Sequence, residues 1–210
     1  MTVPEFPPEQ TGGVLDGKPI AGGPVVVAYR ADWPARAGAL IADLRERLGG
    51  HAQRIEHIGS TAIPGMAAKD IIDLQATVAS LDDAARDFDE PLGLLGFHRM
   101  PYVSDHVPAG RSDDPARWAK RLWRRRGHPD GDVNLHVRLA GSPNGRLAVL
   151  FRDWFRAHPQ AVPAYAAFKQ SLASVTSDLD SYTDVKDPVV DLVITVAEPW
   201  AAATGWEPGG

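Results

Sequence analysis

The chain has 210 residues, 44% hydrophobic and 23% charged, with 20 Gly, 18 Pro and no Cys; this ordinary globular usage excludes collagenous, disulfide-stapled and wholly disordered classes and leaves any catalysis to oxygen and nitrogen groups. A chain of this length makes one large domain or two small ones and buries about 70% of its unfolded surface, enough for a core without metal or disulfide. The net charge of −5 provides no global field for holding nucleic acid or anionic lipid, so any anion site has to be local.

No apolar run reaches the roughly 18–20 residues that cross a bilayer, and Met1–Gln10 has neither a basic region nor an apolar stretch, so a cytoplasmic protein is expected. Residues 1–24 hold five Pro and five Gly and read as an extension, either a loosely held tail or a hairpin turning at Asp16-Gly17. Residues 25–29 are a β-branched run that predicts a first strand. Asp32 as N-cap, Pro34 in the first turn and Leu40, Ile41, Leu44 and Leu48 at helical spacing predict a helix that Gly49-Gly50 stops. Arg54–Ile58 alternates as a half-buried strand ending at Gly59-Ser60, and Ile71–Val78 reads as a central strand whose single charge is Asp73. A helix follows from Ser80 to about Leu95, then a strand over 97–103, a loop over 104–115 and a helix over 117–126. Asp132–Leu139 alternates strictly, its polar face carrying Asp132, Asn134, His136 and Arg138. Helices are then predicted at 147–157, 162–173 and 182–203, the last containing Pro188 and Pro199. The whole is α+β: a mixed sheet domain over 25–140 and a C-terminal helical cap over 141–210.

Chemistry concentrates where Gly59-Ser60 closes one strand and Asp73 lies in the next. A Gly-Ser turn presents backbone N–H groups and a hydroxyl to phosphate, and a neighbouring carboxylate can hold the cation that neutralises it. Asp70 sits three residues before Asp73, on the opposite strand face. The stretch His57-Ile58-Gly59-Ser60-Thr61-Ala62-Ile63-Pro64-Gly65-Met66-Ala67-Ala68-Lys69-Asp70-Ile71-Ile72-Asp73 closely resembles the signature of the GrpB family, a branch of the nucleotidyltransferase superfamily. Asn134-Leu135-His136-Val137, Phe151 to Pro159, Tyr165 to Lys169 and Tyr182 to Lys186 extend the resemblance. It implies a mixed sheet flanked by helices, a triphosphate at Gly59-Ser60 with Thr61 and Lys69 beside it, and Mg²⁺ held by strand carboxylates. Where the superfamily has a second acid, this chain has Gln75, which offers Mg²⁺ a neutral oxygen and disfavours a two-metal arrangement.

His136, with Asp132 four residues before it on one face, is a metal ligand, a base or a hydrogen-bonding group of a polar pocket. Residues 117–126 hold six bases in ten; on a helix Arg117, Lys120, Arg121 and Arg124 would form one stripe able to grip phosphate, or a solvated face. Lys186 either reaches the phosphates or pairs with Asp184, Asp187 or Asp191. Three functions stay open: an Mg²⁺-dependent nucleotidyltransferase acting on a nucleoside triphosphate and a small acceptor, a non-catalytic or repurposed pocket, and an RNA or protein adaptor using the Arg-Trp helix. The low charge and the single short basic element argue against a long nucleic-acid footprint. The sequence does not set the oligomeric state.

Overall fold

The computed structural model describes residues 23–209; the Asp16-Gly17 turn and nearly all of the N-terminal extension lie outside them. Six α-helices and five strands follow in the order α1 (Trp33–Leu48), β1 (Arg54–Ile58), β2 (Ile71–Val78), α2 (Leu81–Asp87), α3 (Asp89–Gly93), β3 (His98–Met100), β4 (Lys120–Arg125), β5 (Asp132–Leu139), α4 (Pro143–Ala157), α5 (Val162–Val175) and α6 (Leu179–Thr204). The sheet runs β1-β2-β5-β4-β3. Its central pair, β2 and β5, is parallel, and the outer pairs are antiparallel, so the α+β mixed sheet is present.

Alternation divides the sheet into two unlike faces. Ile72, Leu74, Ala76, Val133, Leu135, Val137 and Trp123 project to one side and pack with Trp33, Leu40, Leu44, Phe88 and Leu92 of α1 to α3. At about 25 cal/mol per Å² of apolar area, each such side chain stabilises the fold by about 2 kcal/mol. The other face carries Asp73, Gln75, Asn134, His136 and Arg138, with Asp73 level with Asn134 and Gln75 level with His136 in the register. A second apolar cluster, including Leu150, Phe151, Phe155, Tyr165 and Ile194 from α4 to α6, lies on that side. A sheet with one polar face leaves room for a site between it and the helices that roof it.

Four local expectations change. Residues 25–29 make only one bridge, Val27 with Ala68; the carboxylate of Asp70 instead ties this segment down by accepting from Arg30, Trp33 and Arg36. Asp32 occupies the N-cap of α1 but makes no capping bond, its carboxylate being drawn to Arg30. The helix after Ser80 breaks at Phe88 into α2 and α3, although Ser80 caps it as expected by accepting from Asp83 N.

The fourth change bears on function. Residues 117–126 are not a helix: a short 3₁₀ turn, Pro115–Trp118, leads into β4, which pairs with β5 on one side and β3 on the other. Two sheet neighbours override the helical spacing of the bases, because on a strand Trp123 is fully buried and Arg121 and Arg124 point to opposite faces. The phosphate-gripping stripe and the Arg-Trp helix of the adaptor reading therefore do not exist. Among the described residues no helix is long and apolar enough to cross a membrane.

Candidate functional site

A cavity of about 320 Å³ opens between the polar sheet face and α4 to α6. Gly59 stands at its floor with φ +69°, and a Cβ there would come within 2.7 Å of Asp73 Oδ2, so both the backbone angle and the close approach demand glycine. Ser60 opens the following 3₁₀ turn, Ser60–Ala62. Arginines of α4 hold this turn from both sides: Arg152 donates to His57 O at 3.0 Å, and Arg156 donates to Ala62 O through two nitrogens at 2.8 and 3.0 Å.

Asp73 Oδ1 accepts from Asn134 Nδ2 at 2.7 Å and lies 3.7 Å from His136 Nε2. Burial opposes ionisation of this carboxyl, yet His136, Asn134 and Lys69 together hold it down at about 2. Burial likewise lowers the pKa of His136, against the pull of Asp73. Three lysines surround the Ser60 end. Lys169, 2% exposed, donates to Ser60 Oγ at 2.8 Å; burial, with Lys186 and Lys69 nearby, lowers its ammonium to about 7. Lys69 lies 5.0 Å over the ring of Tyr182, and burial lowers its pKa too. Lys186 lines the same cavity and is 3.9 Å from Asp187, so of the two fates expected for it the pairing with an acid is present. Tyr182, Lys186, Val190 and Ile194 recur every four residues, which turns one face of α6 into a wall of the cavity.

The remaining candidates separate. Thr61 lines the cavity, but its hydroxyl faces His57 Nε2 at 2.9 Å, and burial lowers that imidazole to about 4. Gln75 is buried outside the cavity wall: Nε2 donates to Gly145 O at 3.1 Å and Oε1 accepts from Arg138 at 2.7 Å, which leaves it unsuited to ligate a metal. Arg121 turns to the opposite face and reaches Asp82. Arg124 stacks over Tyr102 and does not line the cavity. Asp132 accepts from Gly127 N, two strand steps from His136, and takes no part.

Sequence reasoning missed Lys169, Arg138, Trp118 and the pair Asp105 and His106, all of which line the cavity. Asp105 accepts from Lys120, Arg138 and Asn144, and despite burial the charges of Arg138 and Lys120 hold its carboxyl far below the usual range. His106 meets Asp191 at 2.9 Å and Asp187 at 3.4 Å. Lys169 ends one of the matched motifs, which was a usable signal; Asp105 and His106 lie in a loop with no pattern to mark them.

The comparisons with known proteins bear on this geometry. The family model described as GrpB protein matches residues 24–195. The chain is similar to a dephospho-CoA kinase of Mycolicibacterium paratuberculosis, 38% identical over 209 residues that cover 92% of this chain and 51% of that protein. It is also similar to a UPF0157 protein of Halalkalibacterium halodurans, 30% identical over 190 residues covering 89% of this chain and 87% of that one. The chain thus spans about half the length of the kinase relatives it matches. Among solved structures, the conserved protein GrpB from Enterococcus faecalis has TM-score 0.66 at 23% identity and covers 84% of this chain and 99% of that one, a likeness of fold.

Proposed function

The chain belongs to the GrpB family, and on the geometry of its cavity we propose that it binds the phosphate chain of a nucleoside triphosphate and transfers a nucleotidyl group to a small acceptor. The observation that carries the reading is the convergence of Lys69, Lys169, Lys186 and the Ser60 hydroxyl beside Asp73. Three lysines gathered in one cavity repel each other when charged and lose hydration, so the arrangement favours an anionic occupant. The residues fit one Mg²⁺ held jointly by Asp73 and the phosphates, since one carboxylate with phosphate oxygens is a common Mg²⁺ setting. They do not fit a metal pair, because the oxygen of Gln75 is taken by Arg138. Bound there, Mg²⁺ would supply charge neutralisation on the phosphates; the lysines would orient them, and Asn134 holds the carboxylate of Asp73 in place.

Calorimetry with a non-hydrolysable ATP analogue tests this. Binding is expected to be measurable, tighter with Mg²⁺ than with chelator, and about tenfold weaker in Lys169→Met, the worth of one charge-assisted hydrogen bond. In Asp73→Asn the Mg²⁺ effect should vanish. Equal affinity with and without Mg²⁺ removes the metal, and absence of binding removes the nucleotide. The locked Gln75 favours a second reading, a phosphate-ligand binder without turnover; product formation from labelled triphosphate with the acceptor pool of a cell extract separates the two.

A further inference from the structure

The polar face of the sheet continues beyond the cavity. Cross-strand partners share a face, so the row that starts at Asp73 on β2 runs through Asn134 on β5 and Arg124 on β4 to His98 on β3. Two strand spacings, about 10 Å, separate the backbones of Asp73 and Arg124. At β3 this face is open, and His98 and Tyr102 are exposed.

The bases of β4 and the residue after it are engaged, with one exception. Lys120 pairs with Asp105, Arg121 with Asp82, Arg125 Nε donates to Gly131 O, and Arg126 donates to Val133 O and Asn134 Oδ1. Among the described residues Arg124 meets no acid and donates to no oxygen; its Nε is enclosed, while its two Nη groups are open. Tyr102 fixes its plane, the guanidinium carbon lying 5.1 Å over the ring. A guanidinium laid on an aromatic face keeps its fork free and oriented, and that fork matches two oxygens of a carboxylate or a phosphate. Its charge also reaches the cavity: burial lowers the pKa of Lys69, and Lys186, Arg126 and Arg124 lower it further.

We propose that Arg124, laid on Tyr102, binds an oxyanion group, carboxylate or phosphate, of the acceptor molecule. Only the assignment to the acceptor rests on the reading of the lysine cluster as a triphosphate site. The acceptor is then an acid whose anionic group sits two strands from Asp73, which leaves its reacting group at Asp73 while the lysines hold the triphosphate.

The test titrates phenyl phosphate and benzoate into the full chain by calorimetry, with saturating tripolyphosphate present and Mg²⁺ absent. At least one of the two is expected to bind, and the tighter one names the anion. Arg124→Gln should weaken that binding about tenfold, the worth of a charge-assisted hydrogen bond. Tyr102→Leu should weaken it about three-fold, because the guanidinium loses the face that orients it. Lys169→Met should leave it unchanged. Absence of binding by both probes, an unchanged affinity in Arg124→Gln, or a loss in Lys169→Met instead overturns the proposal. Should Arg124→Gln fail to fold, Tyr102→Leu, a change at an exposed ring, decides it by the same readout. ATP is expected to leave the probe in place; displacement by ATP but not by tripolyphosphate would give Arg124 to the nucleotide and overturn the acceptor assignment. Tripolyphosphate is titrated separately without probe, so failure of the phosphate reading and failure at Arg124 are seen in different measurements.

Discussion

Asp73 and Gln75 share a strand face two residues apart, yet their surroundings give them opposite work. Asp73 faces the cavity with one oxygen tied to Asn134 and the other over Gly59. Gln75 is 2% exposed and satisfied through both ends of its amide. Strand geometry alone says that Gln75→Asp adds a second metal-binding acid beside Asp73; Arg138, 2.7 Å from Oε1, says otherwise. The new carboxylate should pair with Arg138, so Mg²⁺ affinity measured with ATP present should stay within about two-fold of wild type. Stability should fall by about 1 kcal/mol, since Gly145 O loses its donor. Adding Arg138→Gln to the exchange should release the carboxylate and tighten Mg²⁺ binding. A tightening already in the single variant would show that Arg138 does not hold it.

At the scale of the element, β4 shows how a cluster of bases misleads. Read as a helix, its charges form a stripe; paired between β5 and β3, they are dealt to two faces, and two of them pair with acids, Lys120 with Asp105 and Arg121 with Asp82. The double variant Arg121→Ala and Arg124→Ala should therefore bind triphosphate as wild type does within about two-fold. Trp123→Ala, which empties a fully buried position and removes the donor to Asp89, should cost about 3–5 kcal/mol in chemical denaturation. Weakened triphosphate binding in the arginine variant at unchanged stability would return β4 to the site. The helices α4, α5 and α6 do the opposite of β4: each brings one stripe of side chains to the cavity, and the arginines of α4 also clamp the Gly59-Ser60 turn.

Across the whole molecule, the site exists because the sheet has one apolar and one polar face and helices cover both. Its lysines come from the loop before β2, from α5 and from α6, so their mutual repulsion arises only on folding. With its ammonium lowered to about 7 by burial, Lys169 is largely neutral in the free protein above that pH. Phosphate bound beside it restores the charge, so binding takes up a proton there. Affinity for tripolyphosphate should accordingly fall as pH rises from 6.5 to 8.5, by up to about tenfold per unit. Calorimetry in two buffers of different ionisation enthalpy should register the proton uptake near pH 8, and Lys169→Met should abolish both effects. A pH-independent affinity would mean that Lys169 keeps its proton throughout.

The strands β1, β2 and β5 could be read from the chain with their true bounds, because a half-buried strand writes its two faces into alternate residues, and the helices α1, α4, α5 and α6 were visible in their apolar spacing and stop signals. The Gly59-Ser60 turn and Asp73 were likewise legible, since a positive φ and a lone carboxylate in an apolar strand each leave a mark in the local sequence. What no local pattern carries is the identity of a residue's partner. That residues 120–125 form a strand was decided by β3 and β5; that the amide oxygen of Gln75 is engaged was decided by Arg138, 63 positions later in the chain. Lys169, Asp105 and Trp118 join the site only when α5, the loop before β4 and the polar sheet face come together. Burial and distant charge set what a side chain can do, and both are properties of the packed chain.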